Sequence, residues 1–163
     1  MIVKIFLTRY PNMQLAKFLY KSLRNACLLI SSAVALNGES ILTVADTYRT
    51  GIYDKSASEI VAFDPLSKRV FVSNDNNNTL DVFRLEQNAS LSKLFSLSMA
   101  SHGAGVNAVA IKNGLVAVAV EASPKQNPGK VAIFSSVVEM HGTALTSVQV
   151  GALPDHLAFT NDG

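Results

Sequence analysis

"VAF" at residues 61–63, "VAI" at 109–111 and "LAF" at 157–159 are three copies of one short apolar ribbon, and their spacing decides the fold. Ala62 to Ala110 and Ala110 to Ala158 are both steps of 48 residues. Between the first two copies the chain alternates apolar and polar residues in "EIVAFD", "KRVFVSN", "TLDVFRLE" and "LSKLFSLS". Between the second and third it does so again in "GVNAVAIKN", "GLVAVAVEA", "GKVAIFSS" and "TALTSVQVG". Alternation bounded by Asp-Pro, Asn-rich and Asn-Gly turns is the signature of strands in a meander. A four-strand unit returning at this interval predicts β-propeller blades, whose repeats run to about 40–50 residues. A β-sandwich also spaces short strands regularly, but nothing in it requires the same strand type to return at equal steps.

The expected architecture is all-β: blades over residues 59–104 and 105–152, and the first strand of a third over 153–163. "ILTVADTYRTGIYD" at 41–54 is strand-like and belongs to an extension over 36–58, either a strand that closes the ring or a surface segment. "LPDHLAFTNDG" reads as a strand entering an Asn-Asp-Gly turn, so the chain is expected to be the N-terminal part of a longer propeller. Its partners would then include the parent chain's remaining blades. Two blades alone leave an apolar face bare at each end, which predicts low stability or aggregation.

Charge is unevenly placed. Lys4, Arg9, Lys17, Lys21 and Arg24 precede residue 36, and no acid does. Of the 14 basic residues, 9 then face 12 acids over residues 36–163, a net charge of 9 − 12 = −3 that argues against a nucleic-acid partner. The basic flank, the uncharged run from Asn25 to Gly38 and the small-x-small site Ala33-Val34-Ala35 have the three parts of a secretory signal peptide. A signal helix over 1–35 is expected, cleaved after Ala35, with Met13 an alternative start. The run is too short and too rich in serine for a membrane span of about 20 apolar residues. Cys27 would leave with the signal, and a secreted, periplasmic or cell-surface protein without disulfides would remain.

The residues offer few sites for chemistry. Asp75, Asn77, Thr79 and Asp81 fall at alternate positions, and Glu86 lies eleven residues after Asp75, which imitates the ligand spacing of a calcium loop. Leu80 stands where such a loop needs glycine, and the other reading is an Asn-rich hairpin. His102, His141 and His156 are scattered and lack the paired spacing of a zinc helix. No serine lies in a nucleophile elbow, and "SHGAG" at 101–105 has no phosphate-binding helix after it. The Pro-flanked loop "SPKQNPG" at 123–129 and "TYRTG" at 47–51 are the polar stretches best suited to binding, with Lys125, Gln126 and Asn127 as the groups a ligand would meet. Asn77 and Asn88 begin Asn-x-Ser/Thr sequons. Catalytic, cofactor and metal residues are therefore expected to be none.

"TYRTG", "SASEIVAFDP" at 56–65, "NGLVAVAVEASPKQNPGKV" at 113–131 and "VGALPDHLAFTNDG" at 150–163 resemble the N-terminal propeller of the choice-of-anchor I family. The resemblance implies an exported bacterial propeller, with anchors that differ between members and no agreed catalytic residues. Some relatives carry names such as alkaline-phosphatase-like or mesenchyme-specific cell surface glycoprotein. Two functions follow as expectations: a module that binds or scaffolds at the surface through a surface protein, glycan or small ligand, or, alternatively, a calcium-dependent hydrolase of the phosphatase or phytase type.

Overall fold

The computed structural model describes residues 2–9 and 41–162. The expected signal helix, the cleavage site after Ala35, Met13 and Cys27 lie outside the described residues. Strands β1 (Ile2–Arg9) and β2 (Ile41–Arg49) form a two-stranded sheet. Two compact units are distinguished, one of Met1–Lys4 with Asp46–Gly163 and the other of Ile5–Ala45. The first of them carries the repeat.

That unit holds two four-stranded antiparallel sheets. The first runs β3 (Val61–Asp64), β4 (Arg69–Asn74), β5 (Thr79–Leu85), β6 (Leu91–Ser98), and the second β7 (Gly105–Lys112), β8 (Leu115–Glu121), β9 (Pro128–Ser135), β10 (Thr146–Ala152). In each, hydrogen-bonded neighbours are neighbours in sequence. The two meanders match the two expected blades strand for strand. Asn113 and Gly114 take φ of 51° and 78° between β7 and β8, the paired left-handed geometry of a two-residue hairpin turn.

Every residue of β4, and every residue of β8 after Leu115, is buried, because each of these strands is covered on both faces. One core joins the sheets: Phe71, Leu80, Val82 and Leu97 from the first meet Val106, Val116, Val118, Val120 and Phe134 from the second. The close approaches between the sheets are made chiefly by β7 to β3, β4 and β5. Sheets that converge along their leading strands are successive sectors about an axis, as blades are. A sandwich would interleave strands from distant parts of the chain across its two sheets.

The outer faces are covered over β4 and β8, contrary to the expected bare face at each end, and exposed apolar side chains are confined to the marginal strands β3 and β10 and the turns beside them. Val61 and Phe63 of β3 and Leu66 in the turn after it are exposed, as are Val148 of β10 and the flanking Leu145 and Leu153. The segment 153–160 forms no ladder among the described residues, and a turn follows at Asn161–Asp162. It nevertheless lies along β7: Asn107 Nδ2 donates to the Pro154 carbonyl at 3.2 Å and Lys112 Nζ donates to that of Thr160.

The carboxylate inside β5 is satisfied locally. Asp81, 2% exposed in the middle of the strand, accepts from Ser96 Oγ (2.6 Å), Thr79 Oγ1 (3.2 Å) and Asn74 Nδ2 (3.2 Å) and pairs with Lys93 Nζ at 3.0 Å. A carboxylate so enclosed stabilises only while all its partners are present.

Candidate functional site

Registers place the start of β3 and β7, the ends of β4 and β8, the start of β5 and β9 and the ends of β6 and β10 at one end of the sheets. The loops at this end are the β4–β5 turn, the β6–β7 connection and the Pro-flanked β8–β9 loop. Asp75–Asn77 makes a single 3-10 turn, in which the Asn74 side chain accepts from Asn77 N–H and Asn78, at φ 49°, donates its own N–H to Asp75 O. Asn78 fastens this turn to the β6–β7 connection: its Nδ2 donates to Gly103 O (2.8 Å) and its carbonyl accepts from Met99 N–H (3.0 Å).

Glu121, the last residue of β8, is 5% exposed. Its Oε1 pairs with Lys125 Nζ at 3.0 Å across the Pro-flanked loop, and its Oε2 accepts from Asn107 Nδ2 at 3.1 Å. Asn107 can reach it because the β7–β8 register slips between Val106 and Ala108, a bulge that re-aims the extra residue. Gly105 separates Glu121 from Asp75. A Cβ there would sit 3.0 Å from Glu121 Oε1 and run into Asp75 Oδ1, so the two carboxylates approach only because this residue has no side chain. Burial pushes the Asp75 carboxyl above its usual range, with the Glu121 and Glu59 charges adding to it; Lys125 and the Val106 N–H pull the other way. Lys125 is raised by its hydrogen bond to Glu121 and by that charge, while its side chain stays largely in solvent.

The structure therefore brings Asp75 and Lys125, fifty residues apart, to one cluster, with Glu121, Asn107 and Gly105, which sequence reading passed over. Glu121 was hidden as the terminus of an apolar strand; its only signal was a lysine four residues on, across a turn. Gln126 and Asn127 are exposed in the same loop, where Asn127 N–H closes a turn on Pro124 O (3.0 Å).

The calcium-like set does not converge. β5 advances about 3.3 Å per residue, so it carries Glu86 to the opposite end of the sheet from Asp75 and leaves Asp81 inside. Among the described residues no group of three or more His, Cys, Asp or Glu is placed to hold a metal. His156 is exposed, and Asn77 and Asn88 lie in exposed turns, where Asn88 Oδ1 accepts from Ser90 Oγ (2.7 Å). Tyr48 of "TYRTG" sets its ring edge-on to Phe83, with centroids 4.7 Å apart. His102 and His141 meet on the rim of a cleft of about 500 Å3 between the β6–β7 connection and the long β9–β10 loop. There His102 packs edge-on to Phe134 at 5.7 Å, and burial, helped by the Lys130 charge, holds its imidazole below the ordinary range.

The cluster has a pH signature. A carboxyl whose pKa is raised on folding binds its proton more tightly in the folded than in the unfolded chain, so stability falls as pH rises from about 4 to the raised value. Asp75→Asn removes this dependence. The variant is expected to be more stable at pH 7 by about 0.5 kcal/mol, the scale of a partly solvated charge interaction, with the difference vanishing below about pH 4. Urea titrations of both proteins at pH 4 and pH 7 measure it; an Asp75→Asn chain less stable at pH 7 than the unmodified one would reverse the assignment.

The model of the choice-of-anchor I domain matches residues 59–163. No curated protein and no solved structure matches the chain. Among the described residues no helix is long and apolar enough to cross a membrane.

Proposed function

The chain belongs to the choice-of-anchor I family, an assignment that goes with exported or cell-surface proteins, and from that premise we propose that it is a binding or scaffolding module of a surface-displayed propeller. Its partner is a surface protein, glycan or small ligand that meets the loop end of the blades. One observation carries this reading: Asp75 and Lys125, on loops of two different blades, converge with Glu121 at that end. Loops held by rigid sheets are where propellers and other β scaffolds place recognition. The cluster suits recognition because Lys125 keeps its ammonium in solvent while its partner Glu121 is fixed by burial and by Asn107.

The test is a comparison of the full chain with a variant in which residues 123–127 are replaced by Asn-Gly. Both are applied to arrays of immobilised glycans and surface proteins and assayed with p-nitrophenyl phosphate in calcium. The expected result is retention on at least one array element, weakened at least tenfold by the loop replacement, and no hydrolysis. Retention unaffected by the replacement would overturn the loop-end assignment, and calcium-dependent hydrolysis would favour the phosphatase-type alternative.

A further inference from the structure

The cleft that holds His102 and His141 is distinct from the loop-end cluster, and its lining has an unusual chemistry. Leu97 and Ser98 of β6, Ser101 and His102 of the connection, the 140–144 part of the β9–β10 loop and Thr146 and Ser147 of β10 form it around Phe134. None of these side chains is an Asp, Glu, Lys or Arg, although 26 of the chain's 163 residues are. Five hydroxyls, Ser98, Ser101, Thr143, Thr146 and Ser147, and two imidazoles surround a floor of Leu97, Phe134 and Ala144.

We propose that this cleft binds a neutral hexose. A hydroxyl group donates one hydrogen bond and accepts others, and a neutral imidazole does both through its two nitrogens, so the rim is matched to a ligand whose own groups do the same. A charged ligand would be desolvated there without a counter-ion, at a cost no hydroxyl offsets. A wholly apolar one would strand several hydroxyls without partners. Met140, half-exposed in the lining, offers the C–H face of a sugar ring an apolar surface, and about 500 Å3 lies within the range of small-molecule clefts, about 300–1,000 Å3. The wall is held from across the blade junction: Arg69 Nη1 of β4 donates to Ser136 O (3.2 Å) and Val138 O (2.5 Å), fixing the start of the loop that bears His141.

The experiment is calorimetric titration of the full chain with glucose, galactose and mannose, with glucuronate and glucosamine as charged counterparts. At least one hexose is expected to bind saturably in the millimolar range or tighter, with the charged pair at least tenfold weaker. Ser147→Phe, an exposed position whose ring would fill the cleft, and His141→Ala, on the solvent side of the rim, are each expected to weaken binding at least tenfold. Gln87→Ala, in the exposed β5–β6 turn, is expected to leave it unchanged. Absence of saturable hexose binding, equal binding of glucuronate, or a Ser147→Phe chain that binds as the unmodified one does, with its circular dichroism intact, overturns the proposal. Because residues 123–127 take no part in the cleft, their replacement bears on the loop-end reading alone.

Discussion

Phe134→Ala lowers the unfolding free energy by about 3–5 kcal/mol, the cost of deleting a large buried ring that its neighbours only partly refill. Phe134 is 1% exposed, pairs with Val116 in the β8–β9 ladder and belongs to the core shared by both sheets. It also supports the His102 ring, an edge-to-face contact of about 0.5–1.5 kcal/mol that alanine cannot make. The loss should appear as a shift of the urea midpoint at constant slope, because one core serves both blades and they unfold together. Phe134→Leu keeps most of the volume and is expected to cost about 1.5 kcal/mol or less. If Phe134→Ala cost less than about 1 kcal/mol, well below the range for such a deletion, or split the transition in two, the blades would not depend on a common interior.

Arg69→Met costs about 3 kcal/mol, from a different cause. The stem of Arg69 is replaced by a side chain of similar length, but the Ser136 and Val138 carbonyls lose a charged donor, each such hydrogen bond being worth about 1.5–3 kcal/mol. Glu139 lies 3.9 Å from the guanidinium with its side chain 84% exposed, so Glu139→Gln should change stability by less than about 0.5 kcal/mol. Arg69→Lys is not expected to rescue, because the shorter lysine stem does not carry its ammonium to the position of Nη1, the one nitrogen that donates to both carbonyls. The readout specific to this role is amide exchange over residues 136–145, which should accelerate in Arg69→Met and not in Glu139→Gln. Unchanged protection of that loop would show that Arg69 does not hold it.

Strands and their turns were legible in the sequence because a strand's period of two and the turn residues are local properties. "KRVFVSN" and "LVAVAVEA" became β4 and β8 with their turns where Asn113-Gly114 and the Asn-rich run put them. What stayed hidden is long-range. Asp81 reads as a ligand in a one-dimensional spacing, but β5 turns it inward to Ser96 and Lys93. His102 and His141 share a cleft only because the β9–β10 loop returns beside the β6–β7 connection, and no local pattern records that. Glu121 needs three separate features to be placed: the β7 bulge that frees Asn107, the missing Cβ of Gly105 and the loop that returns Lys125. The 157–159 ribbon carries the repeat yet forms no ladder among the described residues.

The two turns at the loop end differ in how they are anchored, and the difference bears on where foreign sequence can be grafted. Asn78 ties the β4–β5 turn to Gly103 and Met99 of the β6–β7 connection, so one added residue there would break both ties and loosen that connection. The 123–127 loop has only its own internal Asn127–Pro124 bond and the Lys125–Glu121 pair. An epitope or affinity tag spliced between Gln126 and Asn127 would project into water, which marks this loop as the insertion point for engineering the scaffold.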